Sequence, residues 1–388
     1  MAGYLFSLNN EEALISCINR GVYSTILSAP RNNLWNIAHE GTFADYATMK
    51  EGDNVYFFIR RKIYGIGTLI NINGNCKFLN YPDSNNPTNV EYDAIQETLL
   101  FDNGDNSINN RFLCTFIPDP VFFRKGIDMD ETLSSSPDKF KILRAFWKLS
   151  FIKFSDEENQ AFKDVILRRN IEAIGNANTE NTYSSSYNEF HTAIAEKTNN
   201  NTNYNLDITP FLSSIANISG SIRHEMAVEA ALLFQLSIGD NQTIETFGDW
   251  DYITHQVIAS PFKPIDYMDK MDVFGYKYIE SQEPTISHFL VVEIKKGNAN
   301  ANDILQLMKY VDWIKNEYAF GDYSMIKAYM LAFSYSDNLQ TQLSNLTTRK
   351  FIKSARPPES SEWDNIQLIQ YKYNDERGRL DFEVVEAS

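Results

Sequence analysis

His288-Phe-Leu-Val-Val-Glu-Ile-Lys-Lys-Gly297 decides the reading of the C-terminal half. Its four apolar residues, Phe289 to Val292, run without a polar break, as in a strand buried on both faces. Side chains alternate along a strand. Glu293 and Lys295 therefore point the same way, and Ile294 points into the opposite packing layer. A carboxylate and an ammonium two residues apart at the end of a buried strand form a small polar site. An ion pair on a strand end would be the plainer account, but the apolar run argues against it.

Upstream, Asp272-Val-Phe-Gly-Tyr276 reads as a second strand, and Asp272 lies 21 residues before Glu293. A polar turn over Glu280–Thr285 makes the two a hairpin, which brings Asp272 beside Glu293. Two carboxylates at that separation repel unless a cation lies between them. Mg²⁺ accepts hard oxygen ligands and keeps several waters for a substrate. Lys295 could then position a water and stabilise negative charge at phosphorus. Asp266 and Asp269 are near competitors of Asp272. A helix over Ala301–Ala319, with Ile304, Leu305, Met308, Val311 and Ile314 at core spacing, follows the hairpin. Another, Ser221–Leu236, precedes it and stops at Gly239. With a further strand over Ile326–Phe333, the order is helix, strand, strand, helix, strand.

The set Asp272, Glu293-x-Lys295 on a hairpin resembles the PD-(D/E)XK nuclease superfamily, over roughly residues 210–340. Gln306-Leu-Met-Lys-Tyr310 is similar to the Q-x-x-x-Y element of RecB-like and NucS-like nucleases. Glu225, in Arg223-His-Glu-Met226, looks like the helix-borne glutamate of many members, with Glu229 one turn on as its rival. The sequence has Ile265-Asp266 where Pro-Asp would be expected. The resemblance implies a restriction-endonuclease-like mixed sheet flanked by helices, with Mg²⁺ as cofactor and Mn²⁺ as a substitute. It implies a metal set of Asp272, Glu293 and Ile294, and Lys295 serving the nucleophile. Glu225 would tune the cluster, and Gln306 and Tyr310 would orient it or contact phosphate. Many such enzymes cut duplex DNA as homodimers.

The N-terminal part reads as β-rich. Tyr4-Leu-Phe6, Val55–Ile59, Gly65–Ile70 and Arg111–Ile117 are short apolar runs, and the middle two flank Arg60-Arg-Lys62 as a hairpin. Gly52-Asp-Asn54 before one strand, Gly65-Ile-Gly67 in the next, and Trp35 upstream resemble PUA-like barrels of the EVE type and, more distantly, YTH domains. That resemblance implies an aromatic pocket for a modified base taken out of its stack. Trp35, Tyr56, Phe58 and Tyr64 are candidate walls, although core packing is the simpler account of any single one. Tyr56 and Phe58 share a face. Arg60 and Arg61 at the hairpin tip could meet phosphate or stand as a solvated turn.

Between these halves, residues 121–206 read as a helical connector with an Asn-rich linker. Lys139–Asn170 carries eight Lys/Arg against four Asp/Glu, with Ala145-Phe-Trp147 as apolar content and Ser155 as a helix cap. A solvated helix face explains it, and a phosphate-contacting segment is the sharper alternative. The expected domains are thus 1–120, 121–206 and 207–388 of an α/β chain.

Composition limits what else is open. The 388 residues carry a net charge of −16, which counts against a generic basic DNA coat but leaves local distribution free. Cys17, Cys76 and Cys114 are scattered, so neither a disulfide framework nor a Cys-rich zinc site is expected, and a reducing cytoplasm fits. No run of about 18 apolar residues exists, and the N-terminus lacks the layout of a secretory signal. His39, His191, His224, His255 and His288 form no H-x-x-x-H pattern, and His255 reads as structural. No Walker or G-x-G-x-x-G loop is present. The reading is a Mg²⁺-dependent DNA endonuclease in modification-dependent restriction or phage defence, its target selected by the N-terminal domain. The alternatives are a non-catalytic nucleic-acid-binding module on a degenerate nuclease fold, and a nuclease acting on RNA or mismatched DNA.

Overall fold

The computed structural model describes residues 1–142, 151–175, 182–183, 185–260 and 269–385. They form two compact units, Met1–Asp207 and Ile208–Ser388. Among the described residues, no helix is long and apolar enough to cross a membrane.

The first unit is built on strands β1 (Gly3–Ser7), β2 (Val22–Ile26), β3 (Asn54–Ile59), β4 (Lys62–Leu69), β5 (Lys77–Leu79), β6 (Asn110–Ile117), β7 (Ile127–Asp128) and β8 (Phe151–Phe154). Their order is β2-β6-β4-β3-β1-β8, with β5 on β6 and β7 on β4. The expected hairpin is β3–β4. Ile59 faces Lys62, and Arg60 and Arg61 turn the chain with φ of 45° and 69°. Two left-handed residues give the turn whose twist matches that of the strands. The helices Glu11–Arg20 and Ile37–Ala47 had no counterpart in the sequence reading. Asn10 and Asn36 cap them, each accepting a main-chain N–H in the first turn.

Residues 121–206 are not a separate connector. β8 pairs antiparallel with β1 and so extends the N-terminal sheet. The helix Asp156–Arg169 starts at Ser155 with a reciprocal capping box to Glu158, and buries Phe162, Val165 and Ile166 against Leu5, Tyr56 and Ile63. Asn159, on the same helix, donates to Met1 O at 3.0 Å and to Asn54 Oδ1 at 2.8 Å. The basic stretch is partly interior as well: Lys153 is buried and donates to Thr48 O at 2.9 Å. Arg168 and Arg169 are paired with Asp164 and Glu131. Ala145, Phe146 and Trp147 lie outside the described residues.

The second unit is a six-stranded mixed sheet. Its strands are β9 (Tyr252–Ile258), β10 (Lys270–Tyr278), β11 (Ile286–Ala299), β12 (Ile326–Tyr335), β15 (Ile366–Asn374) and β16 (Arg379–Val384), after a separate ribbon of β13 (Arg349–Ala355) and β14 (Pro358–Trp363). The order is β16-β15-β12-β11-β10-β9. β11 and β12 run parallel, as do β12 and β15, and the other neighbours are antiparallel. Phe289 to Ile294 are buried without interruption, as the apolar run requires of a central strand. The helices Glu225–Ser237 and Ala301–Glu317 pack on this sheet. The first is apolar around most of its circumference and buries Ala227 through Leu236. It begins at Glu225, not Ser221, because Ile222 is held elsewhere, bridging to Ala216 and donating to the Tyr371 hydroxyl at 3.3 Å. β9 was not foreseen, so the order gains a strand before the hairpin. The chain beyond residue 340 supplies β15 and β16 to the sheet.

The Tyr56 hydroxyl donates to Asn159 Oδ1 at 2.8 Å inside the first unit's core. Tyr56→Phe leaves that buried acceptor without its donor, so the unfolding transition of this unit should be destabilised by about 1–3 kcal/mol. Urea unfolding followed by tyrosine and tryptophan fluorescence measures it.

Candidate active site

The β10–β11 hairpin sets Val273 opposite Val292. One step further along that register puts Asp272 against Glu293. Asp272 Oδ2 accepts the main-chain N–H of Ile294 at 2.8 Å, and Lys295 Nζ donates to Glu293 Oε1 at 2.6 Å. Glu293 is 1% exposed, and its Oε2 is buried with no hydrogen-bond partner among the described residues. Ile294 has a fully buried aliphatic side chain, so only its main chain could take part in a metal set.

The electrostatics follow from this crowding. Burial, and then the neighbouring charges of Glu293 and Glu229, push the Asp272 carboxyl well above the usual carboxylate range. Burial pushes Glu293 up to about 7 even though Lys295 opposes it. Burial alone would lower Lys295, but the adjacent Glu293 carboxylate outweighs it and holds the ammonium charged more firmly than usual. Tyr310 is buried, and its hydroxyl is pushed upward by burial first and by Glu293 second. Gln306 Nε2 donates to the Tyr310 hydroxyl at 2.9 Å, so the two residues of the helical element act as one group beside the carboxylates.

Both helix glutamates belong to the surroundings, in different ways. Glu225 is in the first turn of its helix, and its charge raises both Glu293 and Lys295. Glu229 is buried, with Oε1 at 2.6 Å from His255 Nδ1 and Oε2 accepting from Gln256 Nε2 at 3.0 Å. His255 and Gln256 lie on β9. The β-favouring Tyr252, Ile253, Thr254, Val257 and Ile258 were the available signal for that strand. Asp269 is near enough to raise Tyr310, while Asp266 lies outside the described residues.

The donor set suits a hard divalent cation. Two raised carboxyls and an unpartnered buried carboxylate oxygen are what a positive charge would relieve. Among the described residues, no group of three or more His, Cys, Asp or Glu side chains is gathered for a metal. A cation here would rest on Asp272 and Glu293, with main chain and water completing its shell, the pattern Mg²⁺ favours.

In the first unit, a cavity of about 260 Å³ is lined by Ser28, Ala29, Arg31, Leu34, Trp35 and Asn36. Trp35 is 3% exposed and its Nε1 donates to Asn85 O at 2.8 Å. The Arg111 guanidinium lies 4.8 Å from the Trp35 ring centroid, and the His39 ring stands edge-on to it at 5.1 Å. Arg111 is itself buried and donates to Ser84 O, Asn86 O and Thr88 O at 2.9–3.1 Å. Of the other expected pocket walls, Tyr56 is fully buried in the core and offers no surface, and Phe58 packs against the same core. Their shared face turned inward because the helix Asp156–Arg169 covers it. Tyr64 is half-buried and abuts Gly126, where a Cβ would come within 2.6 Å of the ring. Arg61 pairs with Asp130, and Arg60 is exposed at the turn. Sequence reasoning missed the cavity's other lining residues, although Asn32 and Asn33, at φ of 54° and 56°, mark the turn that carries them.

No family model and no curated protein matches this chain. Among solved structures, it is similar to a repair endonuclease from Pyrococcus abyssi, with 23% identity, 24% of this chain and 35% of that one covered, and a TM-score of 0.16. It is similar to EndoMS in a complex with double-stranded DNA, with 18% identity, coverage of 33% and 42%, and a TM-score of 0.20. It is also similar to the YTH domain-containing protein mmi1 in a complex with RNA, with 10% identity, coverage of 45% and 86%, and a TM-score of 0.25. The match thus spans about a third to two fifths of the length of these endonucleases, and likenesses at these TM-scores carry no argument about the site.

The raised Glu293 carboxyl fixes the sign of a pH effect. A carboxyl moved from 4.5 to about 7 in the folded protein contributes stability below pH 4.5, which is lost as pH rises through about 7. In EDTA, the melting temperature of the second unit should fall across that window. Glu293→Gln should flatten the fall, and millimolar Mg²⁺ should reverse it in the parent only. Differential scanning calorimetry at several pH values measures all three.

Proposed function

We propose that the chain is a Mg²⁺-dependent endodeoxyribonuclease. The observation that carries this reading is the pair Asp272 and Glu293, a half-buried and a buried carboxyl on adjacent strands with Lys295 on the same face and one Glu293 oxygen unpartnered among the described residues. Burying such a pair destabilises a fold, so a cation and an anionic substrate are the natural reason to keep it. Asp272 and Glu293 would hold Mg²⁺, which supplies Lewis-acid charge next to a phosphodiester.

The chain's own side chains do the rest. Lys295 is charged at neutral pH and tethered to Glu293, so its ammonium orients a water through hydrogen bonding and stabilises charge building on the phosphate oxygens. In that state it is a donor and not a proton acceptor. Buried Tyr310 braces half-buried Gln306, whose amide would orient the carboxylate side of the site or contact phosphate. Glu225 adds negative charge that keeps Lys295 protonated.

The first unit would select the target. A cavity walled by an immobilised Trp35, with Arg31 and Asn36 at its lining, suits a flat heteroaromatic group such as a base out of its stack, modified or not. Modification-dependent restriction or phage defence is the role that joins a base-reading unit to a nuclease unit.

Asp272→Ala and Lys295→Ala should each lower Mg²⁺-dependent plasmid cleavage by about 100-fold or more. Cleavage equal to the parent would remove the site assignment. A substrate panel of unmodified, methylated and hydroxymethylated duplexes, single strands, mismatched duplexes and RNA tests the target. Trp35→Ala should weaken binding to the preferred substrate while leaving Mg²⁺ binding intact. Nucleic-acid binding by the parent with no cleavage in Mg²⁺ or Mn²⁺ would favour a binding module instead.

A further inference from the structure

Gln256 stands in the middle of β9 with φ of 52°, a left-handed conformation that non-glycine residues rarely adopt and that strands do not need. It lies opposite Asp272, between the pairs Val257/Met271 and His255/Val273. Neighbouring residues of β9 are ordinary strand residues, so the distortion belongs to this position. Its consequence is the placement of one carboxamide. Gln256 Nε2 donates to Glu229 Oε2 at 3.0 Å and reaches Asp272 Oδ1 at 3.4 Å. Glu229 is anchored from its other oxygen by His255 at 2.6 Å. Asp272 is anchored from its other oxygen by the Ile294 N–H at 2.8 Å.

We infer that Gln256 is a positioning residue for the cation site, an inference that rests on the metal reading of Asp272 and Glu293. The amide ties Asp272 Oδ1 to the buried Glu229–His255 pair, while the β11 main chain holds Oδ2. Both oxygens of the ligand carboxylate are thereby oriented before a cation arrives. Residues that orient a ligand in this way commonly contribute 10–100-fold to metal affinity, at about that order of magnitude. The left-handed backbone is what lets a strand residue turn its side chain along the sheet toward the two carboxylates.

The backbone conformation supplies a clean test. Glycine adopts φ near 50° without strain, so Gln256→Gly removes the amide while suiting the main chain. Gln256→Asn also tolerates the left-handed conformation but is one methylene too short to span both carboxylates. In the full-length chain, Mn²⁺ binding is titrated by electron paramagnetic resonance, with the metal-free melting temperature read in parallel. Both variants should stay folded metal-free at the titration temperature, melting lower than the parent by no more than the donor lost to Glu229 accounts for, and should bind Mn²⁺ about 10–100-fold more weakly. Cleavage by both should recover at saturating metal, with the metal requirement shifted and the maximal rate little changed. Parent-like Mn²⁺ affinity in Gln256→Gly would overturn the inference and leave the metal reading standing. Absence of Mn²⁺ binding by the parent would instead overturn the metal reading itself.

Discussion

Asp272 and Glu293 face each other across a hairpin at the end of a buried apolar stretch, Val273 and Phe274 against Val291 and Val292. Each carboxyl is desolvated, and the Glu293 charge further raises the proton affinity of Asp272. Lys295 bonds to one oxygen of Glu293 and opposes both shifts, but burial outweighs it at each carboxyl. The sheet must therefore carry an electrostatic penalty at neutral pH, and the surrounding structure is arranged around it. β11 is central and buried on both faces, which contributes about 1.5–3 kcal/mol for each large aliphatic side chain removed from water. That burial makes the strand rigid enough to hold two like charges in register. The apolar helix Glu225–Ser237 brings in a further buried carboxylate, Glu229, which would be costly without the donors His255 and Gln256. The cluster is thus a site held by packing against its own repulsion.

The first unit meets a comparable problem with the opposite charge. Arg111 is a buried cation whose partners are main-chain carbonyls of residues 84, 86 and 88, not a carboxylate. Its guanidinium fixes that loop and lies against the Trp35 ring. Burial and the nearby Arg111 charge lower His39 to about 4, so the imidazole beside Trp35 stays neutral at physiological pH. Its Nε2 is 3.1 Å from the Ser28 hydroxyl that lines the cavity. The wall of the cavity is therefore fixed by the protein's own hydrogen bonds and ring contacts.

Much of the second unit was legible because its signals are periodic and local. The apolar run Phe289–Val292, the alternation of Glu293 with Lys295, and the core spacing of Ile304, Met308 and Val311 each follow from one strand or one helix. The hairpin then fixed which carboxylates could meet. β9 was illegible because Tyr252–Ile258 is short and its polar residues, His255 and Gln256, face the site and break the alternation expected of a solvated strand. The left-handed φ of Gln256 leaves no trace in residue type, since glutamine carries no preference for it. In the first unit, Tyr56 and Phe58 were correctly placed on one face, but the sequence does not show what covers that face. The cover is a helix some 100 residues away in the chain, held by Asn159, and such long-range packing has no local signature. The same contact explains why residues 121–206 belong to the first unit and do not form a linker.

The most direct test of a cation between two repelling carboxylates is to locate one. Crystals of the full chain grown with Mn²⁺ and measured at its absorption edge would show where that ion binds. An anomalous peak about 2.1 Å from oxygens of both Asp272 and Glu293, lost in Asp272→Asn crystals, is the result expected. No peak there at saturating Mn²⁺, with both carboxyl groups well ordered, would contradict the account.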